Sequence, residues 1–129
     1  MAEIKISELS IGDWVRYRDR EWIVCSLYQF TEEVGLWRKD SQLCEYVADI
    51  EPIPLTSEIL EKNGFRKNGE YNEWNIGTWE TPYLLGVSLE RPAITIKWNG
   101  SSIFIDQARS VHQLQHALRL AGVEKEIEV

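Results

Sequence analysis

Apolar and polar positions alternate along much of the first fifty residues, which is the pattern of a sheet with one buried face. Segments 13–18 and 21–30 are rich in Val, Ile, Trp and Tyr, and the polar pair Asp19-Arg20 between them predicts a tight hairpin. Two more short strands are predicted at 34–37 and 43–47. Short strands joined by tight turns over such a length predict a small, strongly bent sheet or a partial barrel.

The chain changes character at residues 50–55, where two prolines restrict the backbone to an extended connector. After it, Thr56 has the position of an N-cap and Gly64 that of a C′ residue, so a short helix is predicted at about 57–63. We expect a single compact domain with two substructures. The domain is 1–129, and its parts are a barrel-like half at 1–50 and an α+β half at 55–129, joined by 50–55.

A second set of strands is predicted beyond the polar loop 66–70, at 71–76, 83–89, 93–98 and 102–106. Asn99-Gly100 is the preferred residue pair of a type I′ hairpin turn. A two-residue loop here pairs Trp98 with Ser101, Ile96 with Ile103 and Ile94 with Ile105. We therefore expect an antiparallel sheet whose core face carries these isoleucines.

One longer helix is predicted after this sheet. Ser110 and Gln113 have the spacing of a capping box, Gly122 marks the end, and apolar residues at helical spacing give the helix one stripe to pack on the sheet. Residues 124–129 alternate enough for an edge strand and are equally compatible with a frayed tail. The predicted fold class is α+β, with a bent N-terminal sheet or partial barrel, a short helix, and an antiparallel sheet covered by one C-terminal helix.

The net charge of −7 argues against a broad nucleic-acid surface, because such surfaces neutralise phosphates with Lys and Arg. Residues 1–50 carry six Lys/Arg against ten Asp/Glu, and residues 51–129 carry eight against eleven. The N-terminal sequence has neither a signal-peptide pattern nor an apolar run of membrane-spanning length. We expect a cytoplasmic protein without a membrane interaction, whose partner is another protein rather than a nucleic acid.

The candidate chemistry is sparse. Cys25 and Cys44 lie in apolar strand segments, where we expect them to be buried, reduced and structural. His112 and His116 have the i, i+4 spacing of two zinc ligands, but Gln113 stands where a zinc protease has its general-base glutamate. The expectation is two helix-surface histidines, with a metal site as the alternative. The sequence has no nucleophile elbow and no phosphate-binding glycine motif, so we expect no catalytic residue, no cofactor and no enzyme.

Tryptophan is unusually frequent, with six in 129 residues, and most of them are expected in the core. On the strand predicted at 13–18, Val15 and Tyr17 share one face, while Trp14, Arg16 and Arg18 share the other. Aromatic residues and Arg are enriched at protein–protein hot spots. Trp14, Arg16 and Arg18 are therefore the candidate protein-contact site, with Trp14 exposed.

Three segments of the chain, at 11–15, 53–65 and 111–118, resemble a recurrent family of short proteins. This family is found in gut bacteria of the Bacteroides group and in their phages and mobile elements, and the resemblance covers nearly the whole chain. It implies no activity and no ligand. The association with phages or mobile elements implies a small regulatory, accessory or host-interaction role.

The leading hypothesis is a non-enzymatic protein-binding or accessory module. The alternative is a nucleic-acid-associated protein, because the N-terminal half resembles Src-homology-3-like barrels, some of which bind RNA or DNA. A third hypothesis is a metal-binding protein that uses His112 and His116.

Overall fold

The computed structural model describes residues 4–68, 73–76, 85–90, 93–98, 101–106, 109–123 and 125–129. The chain divides into two units, Met1–Ile53 and Pro54–Val129, and the boundary falls within the predicted connector 50–55. Each unit contains one antiparallel sheet, which confirms the α+β class. The expectation of a single compact domain stays a prediction.

The first unit is built on a four-stranded antiparallel sheet in the order β1-β2-β3-β4. Its strands are β1 Trp14–Tyr17, β2 Arg20–Tyr28, β3 Glu33–Arg38 and β4 Ser41–Tyr46, and short 3-10 helices lie at Ile6–Glu8 and Val47–Asp49. The predicted small sheet is confirmed. Within the described residues of this unit β1 and β4 do not pair with each other, so the barrel is partial.

Alternate side chains of this sheet form one core. Its buried members are Val15, Tyr17, Trp22, Val24, Val34 and Leu36 from the strands, with Ile4, Leu9, Val47 and Ile50 from the flanking segments. Burial and a hydrogen bond to Glu45 raise the pKa of Tyr17. That bond joins the side chains of the first and last strands, as expected in a strongly bent sheet.

The hairpin between β1 and β2 turns one residue earlier than predicted. Tyr17 pairs with Arg20, so the two loop residues are Arg18 and Asp19, not Asp19 and Arg20. Arg18 has φ 49° and Asp19 has φ 62°. Positive φ at both central positions defines a type I′ turn, the type whose twist suits two-residue hairpins. The sequence Arg18-Asp19 does not predict this turn type, because Asn-Gly is the usual pair in it.

The prediction that both cysteines are buried is wrong, since Cys25 and Cys44 are exposed free thiols. Val24 pairs with Leu36 and Ser26 pairs with Gly35, which leaves Cys25 as the extra residue of a β-bulge. Cys44 lies on β4, an edge strand whose side chains are mostly exposed. An apolar neighbourhood in the sequence therefore did not translate into burial at either position.

The second unit carries a five-stranded antiparallel sheet in the order β5-β6-β7-β8-β9. Its strands are β5 Arg66–Asn68, β6 Glu73–Ile76, β7 Leu85–Ser88, β8 Ala93–Trp98 and β9 Ser101–Asp106. The predicted strands at 93–98 and 102–106 are confirmed. The predicted polar loop 66–70 is wrong in part, because its first three residues form β5, which pairs with β6.

The register between β8 and β9 follows the prediction at the turn and departs from it further away. Trp98 pairs with Ser101 and Ile96 with Ile103, as a two-residue loop requires. A bulge between Ile94 and Thr95 then places Ile94 opposite Asp106 rather than Ile105. The turn pair Asn99-Gly100 itself lies outside the described residues.

The short helix α1 spans Ser57–Lys62 and has the predicted caps. The Thr56 hydroxyl accepts a hydrogen bond from the Ile59 N–H at 3.3 Å, and Gly64 has φ 86°. These two residues satisfy the backbone groups that a helix leaves unpaired at its ends.

The C-terminal tail docks on α1 and is neither an edge strand nor frayed. Asn63 Nδ2 donates to Glu128 O at 2.7 Å, and Glu128 N donates to Asn63 Oδ1 at 2.8 Å. Lys62 Nζ also donates to Val129 O at 3.1 Å, and the Ile127 side chain is buried. The side-chain amide of Asn63 therefore bonds both the N–H and the C=O of Glu128, as the backbone of a neighbouring strand does in a sheet.

The longer helix α2 spans Val111–Leu120 and begins with the predicted capping box, in which Gln113 Oε1 accepts from Ser110 N at 3.1 Å. Its buried side includes Leu114 and Leu118, and the helix contacts β9. His112 is 4% exposed, so the expectation of a surface position is wrong for this residue. It belongs to the packed side of the helix.

Candidate functional site

The sheet of the first unit has an inner face that forms the core and an opposite face that carries a mixed set of side chains. Strand alternation assigns to the second face the residues that are not buried among the core members. We call these residues the outer face: Trp14, Arg16, Glu21, Ile23, Ser26, Tyr28, Glu33, Gly35, Trp37, Gln42, Cys44 and Tyr46.

Three large apolar residues on the outer face lie side by side on three neighbouring strands. Trp14 pairs with Ile23, and Ile23 pairs with Trp37. Directly opposite residues of an antiparallel pair have Cβ atoms about 4.5–5.5 Å apart, so their side chains can contact each other. Trp37 is 42% exposed, and Trp14 and Ile23 are half-buried. We call this set the aromatic row.

A second group of exposed aromatic residues lies at the other end of the outer face. Glu33 on β3 stands between Tyr28 on β2 and Tyr46 on β4, and both tyrosines are more than half exposed. Glu33 Oε2 accepts a hydrogen bond from Cys44 Sγ at 3.3 Å. That bond is the main reason why the pKa of Cys44 is raised, and partial desolvation adds to it. Cys44 therefore stays a protonated, weakly nucleophilic thiol at neutral pH.

Gly35 forms a low point between the two aromatic groups. A Cβ at this position would overlap the Ser26 Oγ atom and crowd Cys25 Sγ, so the bulge side chains close over the glycine. Gly35 pairs with Cys44 on the next strand. The centre of the outer face is thus filled by side chains from neighbouring strands, and it has no room for one of its own.

The sequence-predicted contact residues are only partly brought together. Trp14 and Arg16 share the outer face, where the Arg16 Nη2 atom is 3.9 Å from Glu21 Oε1. Arg18 lies beyond the end of β1 in the turn, and its guanidinium carbon is 5.3 Å from the centroid of the Tyr17 ring. Trp14 is half-buried, so Trp37 replaces it as the more exposed tryptophan. Sequence reasoning missed Ile23 and Trp37 because their alignment with Trp14 depends on strand register.

A cavity of about 450 Å³ lies in the first unit, and none of its lining residues belongs to the outer face. Its walls are mainly apolar side chains from the N-terminal segment and from the second 3-10 region, including Ile4, Val47 and Ile50. Lys5 and Glu32 supply its charged groups. The lining is mainly apolar with one charge of each sign, and it contains neither His nor Cys.

Metal binding by the two histidines has no third ligand in the described part of the chain. The ring centroids of His112 and His116 are 5.8 Å apart with the rings nearly perpendicular, which is an edge contact between rings. Among the described residues there is no group of three or more His, Cys, Asp or Glu side chains placed to hold a metal ion. None of the described helices is both long enough and apolar enough to cross a bilayer.

Comparisons with protein-family models, with curated proteins and with solved structures each give no match for this chain. The resemblance of segments 11–15, 53–65 and 111–118 to a family from phages and mobile elements therefore stays a prediction.

Proposed function

We propose that this protein is a binding module for another protein and that the outer face of the first sheet is its contact surface. The observation that supports the proposal is the aromatic row, in which Trp14, Ile23 and Trp37 lie side by side on the solvent side of three strands. Tryptophan and tyrosine dominate the energetics of protein interfaces because they bury a large area with few rotatable bonds.

The charge of the first unit indicates what kind of partner suits this surface. Residues 1–53 carry eleven Asp/Glu and six Lys/Arg. On the outer face the single arginine, Arg16, is paired with Glu21, which leaves the Glu33 carboxylate beside the exposed tyrosines. An apolar segment with basic residues at its rim complements this arrangement, since opposite charges steer association and suppress wrong partners.

The proposal includes a cytoplasmic role, as an accessory or regulatory protein of a phage or mobile element. Two exposed free thiols, Cys25 and Cys44, are compatible with a reducing compartment, where such thiols persist. No catalytic constellation enters this proposal.

The experiment is an affinity pull-down from a lysate of the native host, followed by affinity measurement with the purified partner. Trp37→Ala and Trp14→Ala should each weaken binding by at least about 1 kcal/mol, or roughly fivefold. Phe30→Ala is the matched control, because Phe30 is a fully exposed aromatic residue in the β2–β3 turn and outside the aromatic row.

Equal binding by the Trp37→Ala variant and the wild type would exclude the aromatic row as the contact surface. Circular dichroism of each variant distinguishes a lost contact from a lost fold. If Trp14→Ala unfolds the protein, Trp14 serves the core, and Trp37→Ala alone carries the test.

The nucleic-acid alternative is favoured by the same aromatic row, because small barrels bind single strands by stacking bases on exposed aromatic residues. Such sites also need a positively charged groove, whereas the only arginine of the outer face forms an ion pair with Glu21. Titration with a single-stranded oligonucleotide at low salt separates the two functions. Quenching of tryptophan fluorescence that disappears in high salt, and that is smaller in Trp37→Ala, would support this alternative.

A further inference from the structure

The two edges of the first sheet differ in how their outer backbone groups are bonded. On β1, Arg16 N donates to Glu51 O and Glu51 N donates to Arg16 O, each at 2.8 Å, so a neighbouring segment covers that edge. β4 is the last strand in the sheet, and no described segment pairs with its outer side. Five of the six β4 residues are exposed. Within the described part of the chain, the outer edge of β4 is therefore unpaired and can accept another strand.

Hairpin geometry determines which backbone groups of β4 point outward. Arg38 pairs with Ser41 across a two-residue loop, and the closing pair of such a hairpin exchanges both of its hydrogen bonds. Every second residue after Ser41 does the same, and the residues between direct their N–H and C=O groups away from β3. The same rule directs Arg16 outward from β1, which is where Glu51 binds. The outward-directed residues of β4 are Gln42, Cys44 and Tyr46.

We propose that β4 pairs antiparallel with β4 of a second copy of this chain, about a two-fold axis between the two Cys44 residues. In this register Gln42 lies opposite Tyr46 of the second copy, and all three outward residues of each copy are bonded. About six backbone hydrogen bonds join the two strands. A register centred on Leu43 would place Tyr46 opposite Asp40, which is a turn residue, and would form fewer bonds.

The side chains of β4 agree with this register. Of the residue types that commonly protect an exposed edge from pairing, namely charged residues and Pro, the strand contains only Glu45. Its single charge, Glu45, lies opposite Leu43 of the second copy. A register centred on Glu45 would instead set two carboxylates directly opposite each other, which is destabilising.

The pairing joins the outer faces of two copies into one continuous surface with two aromatic rows. Pairing of six-residue strands buries less than the roughly 1,200–2,000 Å² of a stable interface, so the dimer dissociates on dilution. Both copies are acidic, and screening of their repulsion strengthens the dimer as salt is added. The dimer forms from the purified chain alone, whatever partner the outer face binds.

Sedimentation velocity on the purified, reduced protein over a range from micromolar to near-millimolar tests the association directly. We expect a reversible monomer–dimer equilibrium whose dimer fraction rises with protein and with salt concentration. A single monomeric species throughout this range would overturn the proposal and leave the β4 edge to a strand of another protein.

Oxidised glutathione then serves as a probe of register. Two Cys44 thiols reduce one glutathione disulfide to two glutathione molecules and form one Cys44–Cys44 disulfide. The Cα separation of about 5.5 Å in a hydrogen-bonded antiparallel pair lies within the disulfide range, and a small shift of the two strands brings the Cβ atoms from about 5 Å to the roughly 4 Å that a disulfide needs. Mass spectrometry should find this cross-link in the wild type and in Cys25→Ser. Cys25→Ser leaves Cys44 as the one thiol of the chain, and its failure to form a covalent dimer at pH 8 would contradict the register.

Two variants remove the pairing by different means. Cys44→Lys places two ammonium groups opposite each other at the axis, at a position that is exposed in the monomer. Gln42→Pro removes an outward N–H that β3 does not use, whereas Gln42→Ala keeps it. We expect Cys44→Lys and Gln42→Pro to be monomeric and Gln42→Ala to dimerise. If Gln42→Pro fails to fold, Cys44→Lys alone tests the pairing. A Cys44→Lys protein that still dimerises would overturn the proposal.

Discussion

Replacement of Asn63 by alanine should release the C-terminal tail and destabilise the second unit by about 3 kcal/mol. The Asn63 side chain is 4% exposed and makes three hydrogen bonds to backbone groups. Two of these bonds join the side-chain amide to Glu128: Asn63 Oδ1 accepts from Glu128 N at 2.8 Å, and Asn63 Nδ2 donates to Glu128 O at 2.7 Å. In the third, Asn63 Nδ2 donates to Ile59 O at 2.7 Å. Alanine lacks the amide group that makes all three bonds. The N–H and C=O of Glu128 and the Ile59 carbonyl therefore each lose that partner.

The magnitude follows from the number of bonds. A net contribution of about 1 kcal/mol for each hydrogen bond gives about 3 kcal/mol for the three. The expected decrease in the free energy of unfolding is therefore about 3 kcal/mol.

Urea denaturation followed by circular dichroism measures this change. With a slope of about 2 kcal/mol per molar urea, the unfolding midpoint should fall by about 1.5 M. Lys62→Ala is the control, because its bond to Val129 O is exposed and should contribute less than about 0.5 kcal/mol. Amide exchange at Glu128 in the wild type gives an independent readout, since its N–H is protected only while the tail is docked on Asn63 Oδ1. An Asn63→Ala midpoint equal to that of the wild type would refute the docking of the tail.

Three further predictions concern the first unit. Arg18→Asn combined with Asp19→Gly should raise the free energy of unfolding by about 1 kcal/mol, since Asn-Gly suits positive φ; a lower urea midpoint would contradict the turn type. Gly35→Val should lower it by about 2 kcal/mol or more, because two side chains close over the glycine, and an unchanged melting temperature would disprove that packing. Glu33→Gln should lower the pKa of Cys44 and speed its alkylation at pH 8 roughly two- to fivefold, and an unchanged rate would exclude the Cys44–Glu33 bond.

Local signals predicted the helices well. Thr56 and Gly64 marked the ends of α1, and Ser110 with Gln113 marked the start of α2, because a cap is a contact between residues three or four apart in the sequence. The strands of the first sheet were found for a similar reason, since alternation is a property of each segment alone.

The features that sequence reasoning missed depend on residues far apart or on backbone geometry. The contact of Asn63 with Glu128 spans more than half of the second unit, and nothing in either segment announces it. The aromatic row depends on the exact register of β1, β2 and β3, so Trp14 was identified while Ile23 and Trp37 were not. A strand residue can be placed on a face from its own segment, but its neighbours on that face come from other strands.

The bulge in β2 has a consequence for changes in chain length. Because Cys25 and Ser26 together stand opposite Gly35, the inner residues on either side of them, buried Val24 and partly buried Leu27, are three positions apart rather than two. Loss of the single codon for Cys25 would restore regular alternation and keep the inner side chains of β2 on the inner face. A one-residue deletion elsewhere in β2 would turn the following side chains to the opposite face. At this point in the strand, evolution can therefore shorten the chain by one residue without rebuilding the core.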